Sequence, residues 1–398
     1  MDPRDHREIG RRLDLFHFQE EAPGMVFWHP RGFELIRGLE ELIRRRIRAD
    51  GFFEVRSPQL LRRAIWEASG HWQNFSDGMF LFGEADGERA AIKPVSCPGH
   101  LELARRMSLS YRDLPYRIAE LGLVHRNELS GALHGLFRLR QFVQDDGHIL
   151  LAHAQVDAEV ARFSSSLHGL MKLFDMPQPE VALSLRPDVR HGDDALWDRA
   201  ESRLAEAASA AGLHFERVPG QGAFYGPKLE FSLRDHLGKP WQCGTVQLDL
   251  VLPERFDVAY ADEHGARKRP VLLHRALLGS LERFVGLLLE HGNGQLPAWL
   301  APEQALILPV APEHADYARE VLAALQSAGL RARADLRPDS LARRIISAHE
   351  RAIPFVAVVG DRERSARSVS VRSSGQKAEV LELAHARDRL SIACAAPA

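Results

Sequence analysis

At 398 residues the chain is long enough for more than one hydrophobic core, because single cores stop growing at about 250–300 residues; two domains are expected. Its 45% apolar and 27% charged residues match ordinary soluble globular proteins and exclude a wholly disordered chain. A formal net charge of -2 excludes bulk electrostatics as the source of any nucleic-acid affinity, which would have to come from local basic patches.

The N-terminal stretch MDPRDHREIGRRLDLFHF mixes acids with bases and lacks the apolar core of a secretory signal. No long uncharged apolar run suggests a membrane span. Cys97, Cys243 and Cys394 are too few and too scattered for a disulfide framework, so a reducing cytoplasm is the expected location.

In chain order, Phe33, Ile36, Leu39, Leu42, Ile43 and Ile47 recur at spacings of three and four, which predicts an amphipathic helix over 32–48. Gly51 ends it, and Phe52, Val55 and Pro58 predict an extended stretch closed by proline. From Arg117 the pattern is strand, turn, strand: RIAELGLVHRNE, the loop LSGALHGLF, then RLRQFVQDDGHIL. Arg126 and Glu128 flank Asn127, which puts both on one face of the expected strand. Helices are expected over 154–174 and 194–211, and strands over KLEFSLRD and WQCGTVQLDLVL. Strands that follow one another through turns predict an antiparallel sheet. A last helix is expected over 276–290.

HGNGQLPAWLAPEQ, rich in proline and glycine, marks a boundary, giving domains over 1–297 and 298–398. Beyond it ALILPVA, a helix over 314–328, LRARADL, a helix over 340–351, FVAVVG and SVSVRS alternate strand with helix. This predicts a small α/β domain with a mixed sheet; the fold class is α+β overall.

Three segments carry candidate metal ligands: Cys97 in KPVSCPGH, His148 in QFVQDDGH and His274 in RPVLLHRALLGS. No C-x-x-C or H-E-x-x-H spacing links them. Among 19 histidines, spacing alone leaves each residue open as a ligand, a core thiol or an ordinary hydrogen-bonded imidazole. The pair Asp145 and Asp146 reads as a solvated turn before His148.

GMVFWHP, SGHWQNFSDGMF, KPVSCPGH, YRDLP, HRNE, RQFVQDDGH, GAFYGPKLEF, WQCGTVQLD and HRALLGSLERF occur in the order in which threonyl-tRNA synthetases carry them. The chain therefore resembles the catalytic and anticodon-binding portions of that class II family over nearly its whole length. The resemblance implies a class II antiparallel sheet flanked by helices, followed by the small α/β anticodon-binding domain. It implies one zinc ion per chain on Cys97, His148 and His274, with an open position read by the amino group and hydroxyl of L-threonine. A site built to engage a hydroxyl rejects valine well, whereas serine keeps the hydroxyl and differs by one methyl, worth about 1–3 kcal/mol.

Further roles follow from the same resemblance. Asp146 is implied to accept a hydrogen bond from the threonine hydroxyl, while Asp145 keeps the solvated-turn reading; Gln144 and Tyr225 line the amino-acid pocket. In HRNE, Arg126 bridges the α-phosphate of ATP and the substrate carboxylate, and Glu128 reaches the adenine amino group. Phe142 stacks on adenine, Arg283 stands near adenine and the γ-phosphate, and Arg138 is a candidate for the triphosphate tail. Magnesium is expected with ATP near Gln242 and Glu128. His71 is implied to assist proton departure when the ribose of tRNA(Thr) attacks the adenylate. Pro58 closes the first class II motif, so a homodimer is expected.

The chain starts almost at the catalytic core, which leads to the expectation that the N-terminal region hydrolysing seryl-tRNA in full-length bacterial members is lacking. In the second domain Glu363 and Arg372 match anticodon readers, but Pro338 stands at a usually amide-bearing position, and Ser373 and Ser374 replace bases. From residue 301 onward there are 14 Lys plus Arg against 12 Asp plus Glu, so tRNA contact is expected to rest on a few salt-sensitive pairs. Two other readings stay open: a paralogue passing activated threonine to a non-tRNA acceptor, and a non-catalytic tRNA sensor, which the intact Arg126, Arg283 and zinc set argue against.

Overall fold

The computed structural model describes residues 2–83, 87–373 and 376–397, so Ser374 lies outside the described residues. They form two compact units, one of Phe18–Val26 and Ile43–Leu287, the other of Met1–His17, Phe27–Leu42 and Leu288–Ala398. Among the described residues no helix is long and apolar enough to cross a membrane.

The first unit is built on an eight-stranded sheet. Its strands are β1 (Phe53–Glu54), β2 (Tyr116–His125), β3 (Gln141–Leu151), β4 (Glu180–Ser184), β5 (Glu216–Val218), β6 (Lys228–Arg234), β7 (Pro240–Asp249) and β8 (Val271–Ser280). Their spatial order is β5-β4-β6-β7-β8-β3-β2-β1. Only the edge pairs β4–β5 and β1–β2 are parallel, and every pair between them is antiparallel. Position in the sheet explains the burial pattern. Toward the edge, β6 alternates half-buried and buried side chains, whereas the nine residues 271–279 of central β8 are all buried, as expected of a strand covered on both faces.

Register then selects what the two faces carry. His148 pairs with His274, and Asp146 with Ala276, across β3 and β8; Gln247 of β7 pairs with His274. Since side chains alternate with period two, Phe142, Gln144, Asp146 and His148 share one face. Ile149, Arg275 and Leu277 point the other way, where they meet Phe163 and Ser166 of the helix over Val156–Leu173.

Three local expectations need correction. The expected helix over 276–290 begins only at Leu281 and runs to His291, because residues 276–280 complete β8. There the ladder to β3 breaks between Ala276 and Ser280, and Gly279 takes a positive φ of 69° that favours glycine. Arg126 and Glu128 lie beyond the end of β2 at His125, not within a strand. In the helix Pro30–Ala49, Phe33 is 55% exposed while Leu35 is fully buried. At 100° per residue Phe33 lies about 120° round from Leu39 and Leu35 only about 40°.

In the second unit, strands β9 (Ala305–Pro309), β10 (Ala332–Ala334), β11 (Phe355–Val359), β12 (Ser368–Ser373) and β13 (Glu379–Glu382) form a sheet ordered β10-β9-β11-β12-β13. The first three are parallel and the last two antiparallel, the mixed sheet expected of this composition. Its two faces bury separate apolar clusters, one around Ile307, Val321, Ala357 and Leu390 and the other around Leu306, Leu308, Ala348 and Val356.

Candidate active site

A cavity of about 320 Å³ opens on the β3–β8–β7 face, lined in part by His71, Arg126, Phe142, Gln144, Tyr225, Gln242 and Arg283. Seven residues singled out from the sequence are thus brought together. Arg126, Lys228 and Arg283 line the cavity, Lys228 with its ammonium 2.8 Å from the Glu230 carboxylate; no carboxylate is among the described lining residues, so the two arginines give the wall a positive balance suited to an anion. Lys228, Thr245 and Gln247 also line it and were not singled out; the alternation of β6 and β7 places them on the cavity face, but only the register reveals it.

Two arginines are held differently. Arg283 donates from Nε to the Phe137 carbonyl at 2.8 Å and from Nη1 to the Gln242 carbonyl at 2.6 Å, with its guanidinium over the Trp241 ring at 5.6 Å. Arg126 donates only from Nε, to the Pro94 carbonyl at 3.3 Å, and lies over the Phe142 ring at 5.2 Å. Neither terminal nitrogen of Arg126 is engaged by a described protein group, so its planar fork is available to two ligand oxygens. Arg138 is exposed and, like Glu128, is not among the cavity's described lining.

His71 is buried beside Phe224, ring to ring at 5.2 Å and edge-on. The Ser69 hydroxyl donates to the Trp66 carbonyl at 3.1 Å, so it accepts from His71 Nδ1 at 2.8 Å. The proton therefore sits on Nδ1 and the Nε2 lone pair is free. Burial, with smaller contributions from His274, Arg126 and His191, lowers the His71 pKa to about 3: the ring is neutral at any physiological pH.

Cys97, His148 and His274 are all buried, and their ligand atoms lie within 4.8 Å of one another. Cys97 opens the helix Cys97–Arg105; the two histidines face each other across neighbouring strands with Nε2 of His148 3.0 Å from Nδ1 of His274. The donor set passes a test independent of any resemblance. Asp249 accepts the backbone N–H groups of Val251 and Leu252 at 2.7 and 2.9 Å and faces His274 Nε2 at 2.9 Å. As an acceptor it fixes the proton on that nitrogen, which leaves the Nδ1 lone pair aimed at His148, the carboxylate–histidine arrangement typical of metal ligands. Burial, then Asp146 and Asp249, push the Cys97 thiol well above its usual pKa, and a cation among the three would reverse that. One thiolate and two imidazoles suit zinc. The Tyr225 ring stacks on His274 at 4.8 Å and joins this cluster to the cavity.

Asp146 is buried and accepts the Ser96 N–H at 3.3 Å, with burial first among the causes that raise its pKa. The solvated-turn reading of Asp145 is wrong. It lies within β3, 1% exposed, and accepts the N–H groups of Leu277, Leu278 and Gly279 at 2.8, 3.1 and 2.8 Å. These are the donors freed where β8 leaves the ladder, so the carboxylate replaces strand pairing there. In a lone sequence DDG reads as a turn, because both acids and the glycine favour turns.

A second buried group, Asp5, His6 and Glu290, is structural. Asp5 accepts three donors of Arg7 while capping the helix His6–Arg12, and Glu290 receives the backbone N–H and Nδ1 of His6. In the second unit, Glu363 caps the helix Asp361–Ser365 by accepting the Gly360 N–H at 3.0 Å, and Arg372 is exposed on β12. Pro338 lies in the loop after β10, and the Ser373 hydroxyl donates to Gln376 at 2.7 Å.

Comparison with known proteins matches residues 80–292 to the tRNA synthetase class II core domain (G, H, P, S and T) and residues 304–390 to an anticodon binding domain. The chain is 51% identical over 372 residues to the threonine--tRNA ligase of Cupriavidus necator, covering 94% of this chain and 58% of that protein. The Ralstonia nicotianae ligase is 50% identical over 372 residues, with the same coverage. This chain thus spans little more than half the length of these curated relatives. Among solved structures, the RNA binding domain of threonyl-tRNA synthetase from Cryptosporidium parvum Iowa II superposes with a TM-score of 0.93 at 36% identity, covering 98% of both chains. A putative threonyl-tRNA synthetase of Aeropyrum pernix gives 0.84 at 28% identity, covering 98% of this chain and 94% of that one.

Proposed function

The chain belongs to the class II aminoacyl-tRNA synthetases, in the threonyl-tRNA synthetase family, and from that premise we propose that it activates L-threonine with ATP and transfers the product to tRNA(Thr). The observation carrying the proposal is the continuity of one sheet face: a cation-lined cavity passes, through Tyr225, into the Cys97, His148 and His274 cluster. Zinc bound there would supply a Lewis acid that engages the amino group and hydroxyl of the amino acid. Asp146 accepts from that hydroxyl, and Gln144 and Tyr225 bound the pocket. Arg126 grips the α-phosphate and the attacking carboxylate; Phe142, Glu128 and Arg283 hold adenine, and Arg283 with Arg138 holds the triphosphate, accompanied by magnesium near Gln242 and Glu128. The acceleration comes from in-line positioning and charge neutralisation, with no protein nucleophile.

For transfer, His71 offers a neutral Nε2 to the ribose hydroxyl. With a pKa near 3 it orients that hydroxyl by accepting a hydrogen bond and is too weakly basic to hold the proton for long. Residues 1–297 serve as the catalytic part and 298–398 as the anticodon-binding part, with Arg372 exposed for contact and Glu363 beside it in role. Phe53 and Leu60, 59% and 52% exposed on either side of Pro58, support a homodimer across this edge.

Threonine-dependent exchange of pyrophosphate into ATP, followed by charging of purified tRNA(Thr), tests the proposal. Exchange and charging are expected, with about one zinc per chain and loss of exchange in Cys97→Ser. Serine should be activated measurably and valine hardly at all. Absence of exchange in the zinc-loaded chain would overturn activation, and exchange without charging would favour a non-tRNA acceptor.

A further inference from the structure

The imidazole of His148 has one proton and two nitrogens, and zinc requires the lone pair on Nε2, the nitrogen facing His274. The proton must then occupy Nδ1, whose neighbour is not a carbonyl or carboxylate but another imidazole nitrogen, His100 Nδ1, at 2.8 Å. Two facing ring nitrogens permit either direction of donation, so the His148 tautomer is decided further out.

His100 Nε2 lies 3.1 Å from Glu120 Oε2. Glu120 is 3% exposed and also faces Lys93 Nζ at 2.8 Å, the Ser57 hydroxyl at 2.7 Å and the Ser57 N–H at 3.2 Å. Lys93 is fully buried, and its second contact is the Ser57 hydroxyl oxygen at 2.9 Å. An ammonium can only donate. The Ser57 hydroxyl, accepting from Lys93, directs its own proton to Glu120, which leaves the carboxylate as acceptor throughout. Burial pushes the Glu120 carboxyl up, but donation from His100, Lys93 and Ser57 outweighs it and holds the pKa at about 2. A neutral His100 must therefore carry its proton on Nε2 and present a lone pair at Nδ1.

We infer that Lys93, Glu120 and His100 form a one-directional hydrogen-bond relay that locks His148 in the Nδ1–H tautomer and so presents its Nε2 lone pair to the metal. This rests on the zinc reading proposed above and extends it to three positioning residues outside the ligand set. It accounts for a fully buried lysine that is not among the cavity's described lining residues, and it makes the His148 side the counterpart of Asp249 on the His274 side, where one carboxylate does the same directly.

The test compares the full chain with His100→Leu and His100→Gln, using zinc itself in competition with a chromophoric chelator, and cobalt(II) spectra of the substituted site. Glutamine can accept from His148 and donate to Glu120 as His100 does; leucine can do neither. Outer-shell partners of metal-bound histidines are worth about 10- to 100-fold in metal affinity, so His100→Leu should weaken zinc by that factor and shift the cobalt bands. His100→Gln should restore both. Wild-type affinity in a folded His100→Leu protein would overturn the relay while leaving the zinc site intact; a wild-type chain that takes up no zinc would overturn the metal reading itself. Should the leucine variant fail to fold, ¹⁵N-histidine spectra of the zinc-bound wild type decide: Nδ1–H on His148 and Nε2–H alone on His100 are expected, and a proton on His100 Nδ1 refutes the relay.

Discussion

Replacing Arg126 by lysine keeps the charge and removes the fork. In the structure one guanidinium nitrogen is committed to the Pro94 carbonyl at 3.3 Å, leaving two for the proposed substrate oxygens; lysine carries its three N–H donors on one nitrogen, with no fixed planar fork and no anchor. Losing one of two charge-assisted bonds costs about 1.5–3 kcal/mol, which at about 1.36 kcal/mol per decade is roughly a 10- to 160-fold fall. The fall should appear in kcat and in kcat/KM for threonine-dependent pyrophosphate exchange alike, because the proposed role has both oxygens gripped most tightly as the adenylate forms. Stability should hardly change, since the long bond to Pro94 is the only described hydrogen bond lost. An Arg126→Lys protein with kcat/KM close to that of wild type would refute the role. So would a fall confined to KM, which would mean that Arg126 binds the ground state and transition state equally.

Gly279→Ala should destabilise strongly: a Cβ there would lie 2.3 Å from the Cys243 carbonyl oxygen, at a φ of +69°. The left-handed backbone alone costs about 1–2 kcal/mol, so a Tm drop larger than that of the control Gly238→Ala, also left-handed but with open space around it, is expected. Equal drops would show that the crowding at Cys243 is relieved without cost. His71 supplies a pH dependence. Its folded pKa of about 3 lies below the ordinary value of 6.5, so between those values the unfolded chain binds more protons. Stability from the neutral ring is therefore fully present above the ordinary value and lost as pH falls, by about 1.4 kcal/mol per unit. Relative to His71→Gln, wild type should lose about 2 kcal/mol between roughly pH 7 and pH 5 in denaturant titrations; parallel pH profiles would contradict a buried neutral ring.

Much of the fold was legible because its signals are local. Period-two alternation in KLEFSLRD, three-and-four spacing over 32–48 and the proline-glycine stretch before residue 300 need no partner to be read. The helix expected over 276–290 failed for the same reason: ALLGS is apolar without periodicity, and a short apolar run does not distinguish a central strand from a helix. Asp145 failed because turn chemistry is local, whereas the three N–H groups it satisfies lie 132 to 134 residues away along the chain.

For the site, the residue types, their order and their resemblance to a family were contained in the sequence: it names Cys97, His148 and His274 without giving any reason of its own that they should meet. Only the tertiary structure decides that, through the register that sets His148 opposite His274 and the helix that brings in Cys97. The same holds for Asp249, His100, Glu120 and Lys93, which carry no metal signature. Their role is a direction of hydrogen bonding, and direction exists only between groups that the fold has placed within about 3 Å of each other.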